Sequence, residues 1–111
     1  MRLEKETLNS LSKQMELVAK TYFAAKSYIH THVTRLNDSG TSDAKHRQTL
    51  FIKKVQETYD MLNPIEQLFI NNDFFYEEYP NWWKDIYSKN QYQLFKKRAI
   101  IHFLRIFYDE D

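Results

Sequence analysis

Residues 8–36 read LNSLSKQMELVAKTYFAAKSYIHTHVTRL, and this stretch decides the fold class. Leu8, Met15, Tyr22, Ile29 and Leu36 recur every seven residues, and Leu11, Val18, Ala25 and His32 fill the second seam position. That spacing keeps one helix face apolar for about four heptads. Neither proline nor glycine interrupts it, so one long helix is expected over 3–36. Such a stripe has two uses. It can pack as the inner face of an amphipathic helix in a bundle, or it can form the arm of a coiled-coil homodimer.

Working outward, Asn37 to Asp43 (NDSGTSD) holds the single glycine among turn-forming residues and reads as a surface loop. A second helix is expected over 44–62, with Leu50, Phe51, Val55, Tyr59 and Leu62 on its core face. Asn63-Pro64-Ile65-Glu66 is a helix start. Asn63 can accept from a free amide, Pro64 suits a position that needs no N–H, and Glu66 sets a negative charge against the helix dipole. This third helix should run to about Asn71, with Asn72 and Asp73 marking its end. The run FFYEEYPNWW (74–83) follows, and Pro80 keeps Tyr79 out of the α region. Asn81 would cap a short helix over Trp82–Tyr87. Ser88 with Gln91 completes a capping box for a final helix from Lys89 to about Tyr108. Its apolar positions are Tyr92, Phe95, Ala99, Ile100, Phe103, Leu104 and Phe107. The expected fold is all-α with four to five helices in one domain, 1–111. It comprises a long N-terminal helical hairpin and a helix-turn-helix-like unit over 63–108.

Composition agrees. With 111 residues, 42% of them hydrophobic, the chain can build one modest core. One glycine and two prolines are too few turn formers for a sheet fold. The lack of cysteine excludes disulfides, thiolate zinc sites and cysteine nucleophiles. No apolar run is long enough for a membrane span, and no secretory leader is expected, so the cytoplasm is the expected compartment and no membrane partner is foreseen.

The sequence offers no catalytic group. His30 and His32 stand two apart on a helix and point to opposite sides, and His46 and His102 are isolated, so no metal site is expected. Glu77 and Glu78 have no cleft to shift a pKa. There is no glycine-rich phosphate loop and no nucleophile motif. An enzyme is not expected, nor is a cofactor.

The charge distribution is more telling than the net +1. From Lys84 to Arg105 six Lys/Arg residues stand against one acid, Asp85. The order of helix, loop, short helix, tight turn and long basic helix suits a helix-turn-helix, whose last helix enters the major groove. Lys89, Asn90 and Gln93 lie outward near the start of that helix, and Lys96, Lys97 and Arg98 follow. Asn and Gln can pair with adenine, Lys with guanine, and the cations with phosphates of double-stranded DNA.

Leu62-Asn-Pro-Ile-Glu66 with Leu68 and Ile70 resembles the first helix of region 4 in sigma-70-type factors. Tyr87-Ser-Lys-Asn-Gln-Tyr-Gln-Leu-Phe-Lys-Lys-Arg-Ala-Ile-Ile-His-Phe-Leu104 resembles its recognition helix, with Lys97-Arg98-Ala99 through Phe103-Leu104 matching the basic-Ala-x-x-x-Leu pattern. Phage late regulators of the ArpU type have similar tails. The resemblance covers about 45 of the 111 residues. Asn81-Trp-Trp-Lys-Asp-Ile-Tyr87 departs from it, with Trp82 and Trp83 where the family has small residues and with no glycine in the turn. The resemblance implies promoter or operator binding and contact with RNA polymerase.

The rival reading is a non-enzymatic interaction module, homodimeric through the heptad stripe and anchored on Trp82 and Trp83. The aromatic run Phe74, Phe75, Tyr76, Tyr79, Trp82 and Trp83 has three possible uses: core of the bundle, protein-binding hot spot, or stacking platform for single strands.

Overall fold

The computed structural model describes residues 3–33 and 42–108. It is all-helical, with no strand among the described residues. A 3-10 turn (Leu3–Lys5) leads to α1 (Leu8–Val33). After α2 (Ser42–Asp60), α3 (Pro64–Ile70) continues into a single π-helical turn (Asn71–Phe75), and α4 (Lys89–Phe107) closes the fold.

The first helix starts at Leu8 rather than at residue 3 because Thr7 caps it. Thr7 Oγ1 accepts from the Ser10 N–H at 3.1 Å, and the Glu6 carboxylate accepts from Ser10 Oγ (3.2 Å) and Gln14 Nε2 (3.1 Å). The first of these bonds satisfies a backbone donor that a helix start leaves open, and the other two tie Glu6 to the first turns. Leu3, ahead of the cap, is fully buried. Leu36, the His32 side chain and positions 37–41 of the expected loop lie outside the described residues. Ser42 and Asp43, expected in that loop, are the first residues of α2.

α1 and α2 run antiparallel. Gln56 Nε2 donates to Tyr22 Oη at 3.2 Å, while further along α1 Ile29 shares a groove with Ile52. The heptad stripe is spent inside the chain: Leu11, Met15, Val18, Tyr22 and Ala25 are buried. On α2 the inner row is Phe51, Val55 and Thr58, and Leu62, expected on the same helix, is buried just beyond its end. Leu50, expected in the core, is 51% exposed, because it stands ~100° round the helix from Phe51. Buried Thr58 donates its hydroxyl to Lys54 O at 2.7 Å, so no donor is stranded.

α3 has only seven residues, too few to persist alone in water. A capping box holds its start: the Glu66 N–H donates to Asn63 Oδ1 (2.8 Å) and the Asn63 N–H donates to Glu66 Oε1 (3.0 Å). Burial of Phe69 and Ile70 against α4 holds its body. α4 is itself the centre of the core, with Ala99, Ile100, Ile101, Phe103, Leu104 and Phe107 buried.

The short helix expected over Trp82–Tyr87 is absent; the stretch is a chain of tight turns. The N–H groups of Trp82, Lys84 and Ile86 donate to the carbonyls of Tyr79, Asn81 and Trp83, each three residues back. The aromatic side chains of this stretch pack inward instead of forming a helix face. The link from α3 to α4 is therefore a π turn plus an aromatic strap over 76–88.

Candidate nucleic-acid interface

The candidate surface is the first half of α4. Its start is fixed locally. The Ser88 N–H donates to Gln91 Oε1 (2.9 Å) and the Gln91 N–H donates to Ser88 Oγ (3.2 Å), the capping box that the sequence pattern announces. From this cap the helix runs with Lys89, Asn90, Gln91, Gln93 and Leu94 exposed. Its second half is clamped in the core.

The six residues expected to touch DNA do not share one face. Lys89, Gln93 and Lys97 follow one another at four-residue steps, and Asn90 lies seven residues before Lys97, so these four form one strip. Lys89, Asn90 and Gln93 are exposed and Lys97 is half-buried. Arg98 is exposed but stands ~100° further round the helix from Lys97.

Lys96, expected on a phosphate, is drawn inward. Its Nζ lies 3.2 Å from Asp73 Oδ2 and donates to Tyr92 Oη at 3.3 Å. It also sits over the Phe74 and Tyr92 rings at 5.2 and 5.5 Å. An ammonium has three donors, and this one has an ion pair, a hydroxyl acceptor and two ring faces around it.

Asp73 organises this corner. Its Oδ1 accepts from Trp82 Nε1 at 2.8 Å, and its Oδ2 accepts from the Tyr92 hydroxyl at 2.5 Å. Burial, then the hydrogen bond to Asp73 and the charge of Asp73, push the Tyr92 phenol well above its usual value of 10.0. The sequence marked Asp73 only as the end of a helix. The available signal was a carboxylate directly before an aromatic run, with a Tyr92/Lys96 pair one helical turn apart further along the chain.

Trp82 and Trp83, expected as protein anchors, are half-buried and engaged. The Phe69 ring is ringed by Trp82 (5.0 Å), Tyr87 (5.5 Å), Tyr92 (5.8 Å) and Phe95 (6.1 Å), and Trp83 stacks on Tyr92 at 4.3 Å. Phe74, Trp82 and Trp83 thus brace α4 from one side, Phe75 packs on Tyr22 and Phe23 of α1, and Tyr76 and Tyr79 stay exposed. His102 is not isolated, since its Nδ1 donates to Glu66 Oε1 at 2.7 Å and ties α4 to the cap of α3. Arg105 pairs with Glu4.

Among the described residues, no group of three or more His, Cys, Asp or Glu is placed to hold a metal ion, and no helix is long and apolar enough to cross a membrane. No protein-family model, no curated protein and no solved structure matches this chain.

Proposed function

We propose that the chain binds duplex DNA through the first turns of α4. Lys89, Asn90 and Gln93 meet base edges, and Lys97 and Arg98 meet phosphates on either side. One observation carries the reading: a polar, capped helix start stands exposed while the same helix is anchored by its buried second half. α4 holds five cations and no acid. Asp73 and Glu4 engage two of them, Lys96 and Arg105, which leaves the other three in the half offered to DNA. Lys96 acts as a brace for that half rather than as a phosphate contact. The resemblance to sigma-70 region 4 supports the same assignment and adds RNA polymerase as a proposed partner.

The test is fluorescence anisotropy of a labelled AT-rich duplex across salt, comparing the wild type with Lys97→Ala/Arg98→Ala. Affinity should fall steeply with salt, and the double variant should flatten the slope by roughly 0.9 for each phosphate contact removed. Absence of salt-dependent binding at low ionic strength would reject the proposal.

A second reading, a helical interaction module, draws on Ile65 and Leu68, which are both exposed on α3. It predicts concentration-dependent association that Ile65→Lys abolishes. A homodimer through the heptad stripe would first have to unpack α1 from its own core.

A further inference from the structure

The C-terminal end of α2 is electrostatically unfinished. Asp60 is its last residue and no basic residue lies in its last turn. A helix C-terminus carries partial negative charge, so a carboxylate there adds to the field rather than offsetting it. Glu57, one turn earlier, has Lys53 at 3.8 Å; among the described residues no cation pairs with Asp60. The fold thus leaves a negative corner without a counter-charge.

That corner opens on an aromatic cleft of about 160 Å³, lined by Tyr22, Val55, Gln56, Tyr59, Asp60, Asn71, Phe75 and Tyr76. No Lys, Arg or His lines it. Tyr22 and Phe75 stand perpendicular with centroids 5.4 Å apart and form two walls. Both tyrosines on the helices are held by their hydroxyls: Tyr22 Oη accepts from Gln56 Nε2 at 3.2 Å, and Tyr59 Oη donates to Gln67 O at 3.4 Å. The Tyr59 phenol is pushed up by burial first, then by the charges of Asp60 and Tyr76. Tyr76 is 58% exposed and stands at the mouth.

Ring faces attract cations, and aromatic walls with one carboxylate are the chemistry that recognises alkylated ammonium groups. Tyr22 already shows the attraction, with Lys26 Nζ over its ring at 5.2 Å, and Lys26 is not among the residues lining the cleft. The volume is well below that of drug-sized sites, which start near 300 Å³, and similar to cavities of about 150 Å³ that hold one benzene. It suits one compact headgroup.

We propose that this cleft binds a quaternary ammonium headgroup, with Tyr22, Tyr59, Phe75 and Tyr76 as ring walls and Asp60 as the counter-charge. The site is separate from the exposed strip of α4, and the proposal stands whether or not the chain binds DNA.

Amide and side-chain NMR shifts of the intact chain titrated with choline test it. Saturable shifts should centre on Val55, Gln56, Asp60, Asn71, Phe75 and Tyr76. The neutral isostere 3,3-dimethylbutan-1-ol should bind markedly more weakly, because it has the shape without the charge. Asp60→Asn should weaken choline binding about fivefold, the order expected of a partly exposed charge. Tyr76→Ala removes an exposed ring and should weaken it without unfolding the chain. Phosphatidylcholine vesicles present the same headgroup on a lipid: binding of choline alone points to a soluble ligand, and binding to vesicles as well points to a lipid-borne one. Equal binding of choline and its neutral isostere, shifts that ignore Asp60→Asn, or no saturable shift at millimolar choline would each overturn the proposal.

Discussion

Asp73 Oδ2 lies 3.2 Å from Lys96 Nζ, with the side chains only 7% and 18% exposed, so the charge that the sequence offers to a phosphate is instead used to hold α4 in place. Two further donors, Trp82 Nε1 and the Tyr92 hydroxyl, complete the shell of the carboxylate. Removing one partner of such a pair strands the other. Asp73→Ala should therefore destabilise the fold by about 3–5 kcal/mol, since it leaves an ammonium, an indole N–H and a phenol without their acceptor. Lys96→Met keeps the apolar stem and leaves Asp73 with two neutral donors, so it should cost less, about 1–3 kcal/mol. Urea denaturation of both variants checks the order. If Asp73→Ala unfolds no more easily than an exposed-site control such as Glu16→Ala, the hub does not stabilise the fold.

The same hub gives an alkaline signature. The Tyr92 phenol has its pKa raised above 10.0 by burial and by Asp73. Below pH 10 the phenol is protonated in folded and unfolded chains alike, and its contribution is complete. Above that value the unfolded chain releases the proton while the folded chain retains it. The unfolded state then binds fewer protons, so stability falls as pH rises. Tyr92→Phe should be less stable at neutral pH but decline more gently in alkali. Denaturation midpoints across the alkaline range decide this; parallel declines in the two proteins would contradict the assignment.

The parts of the fold that could be read beforehand are those whose causes are local. The capping boxes Asn63/Glu66 and Ser88/Gln91 each close within three residues, and the apolar face of α1 repeats within a heptad, so short-range spacing reveals both. The Thr7 cap is equally local, and the expectation of one helix over 3–36 passed over it. What escaped depends on distant partners. Asp73 meets Tyr92 nineteen residues on, and Glu66 meets His102 thirty-six residues on. No periodicity reports such pairs. The missing helix at Trp82–Tyr87 has the same origin, because Trp82 and Trp83 are positioned by Asp73, Phe69 and Tyr92 rather than by neighbours in sequence. The candidate strip was half legible. Helical spacing places Lys89, Gln93 and Lys97 together, but only packing shows that Lys96 turns inward.

The cap at Ser88 links stability to the proposed surface. Ser88→Ala removes an acceptor from the Gln91 N–H and should cost about 1 kcal/mol. The loss should be felt mostly in the first turn of α4, because the second half is held by buried Phe103, Leu104 and Phe107. Hydrogen exchange should quicken at Gln91 and Tyr92 and stay slow from Ile100 to Leu104. Uniform acceleration along α4 would mean that the helix opens as one unit and that its first half is no separate element.

Asn90 and Gln93 carry the sharpest prediction for DNA. Both are exposed and uncharged, so neither contributes to the counterion release that dominates overall affinity. If they read bases, Asn90→Ala or Gln93→Ala should leave binding to arbitrary duplex nearly unchanged and its salt slope intact. Each should reduce preference for a selected site by about 1–3 kcal/mol, the discrimination one bidentate contact supplies. Lys97→Ala should do the reverse, weakening every sequence alike and flattening the slope. Selection of duplexes from a random pool, followed by competition titrations with each variant, separates the two patterns. Should Asn90→Ala and Gln93→Ala bind the selected site as the parent does, α4 would be holding the backbone only. The chain would then be a sequence-neutral DNA binder.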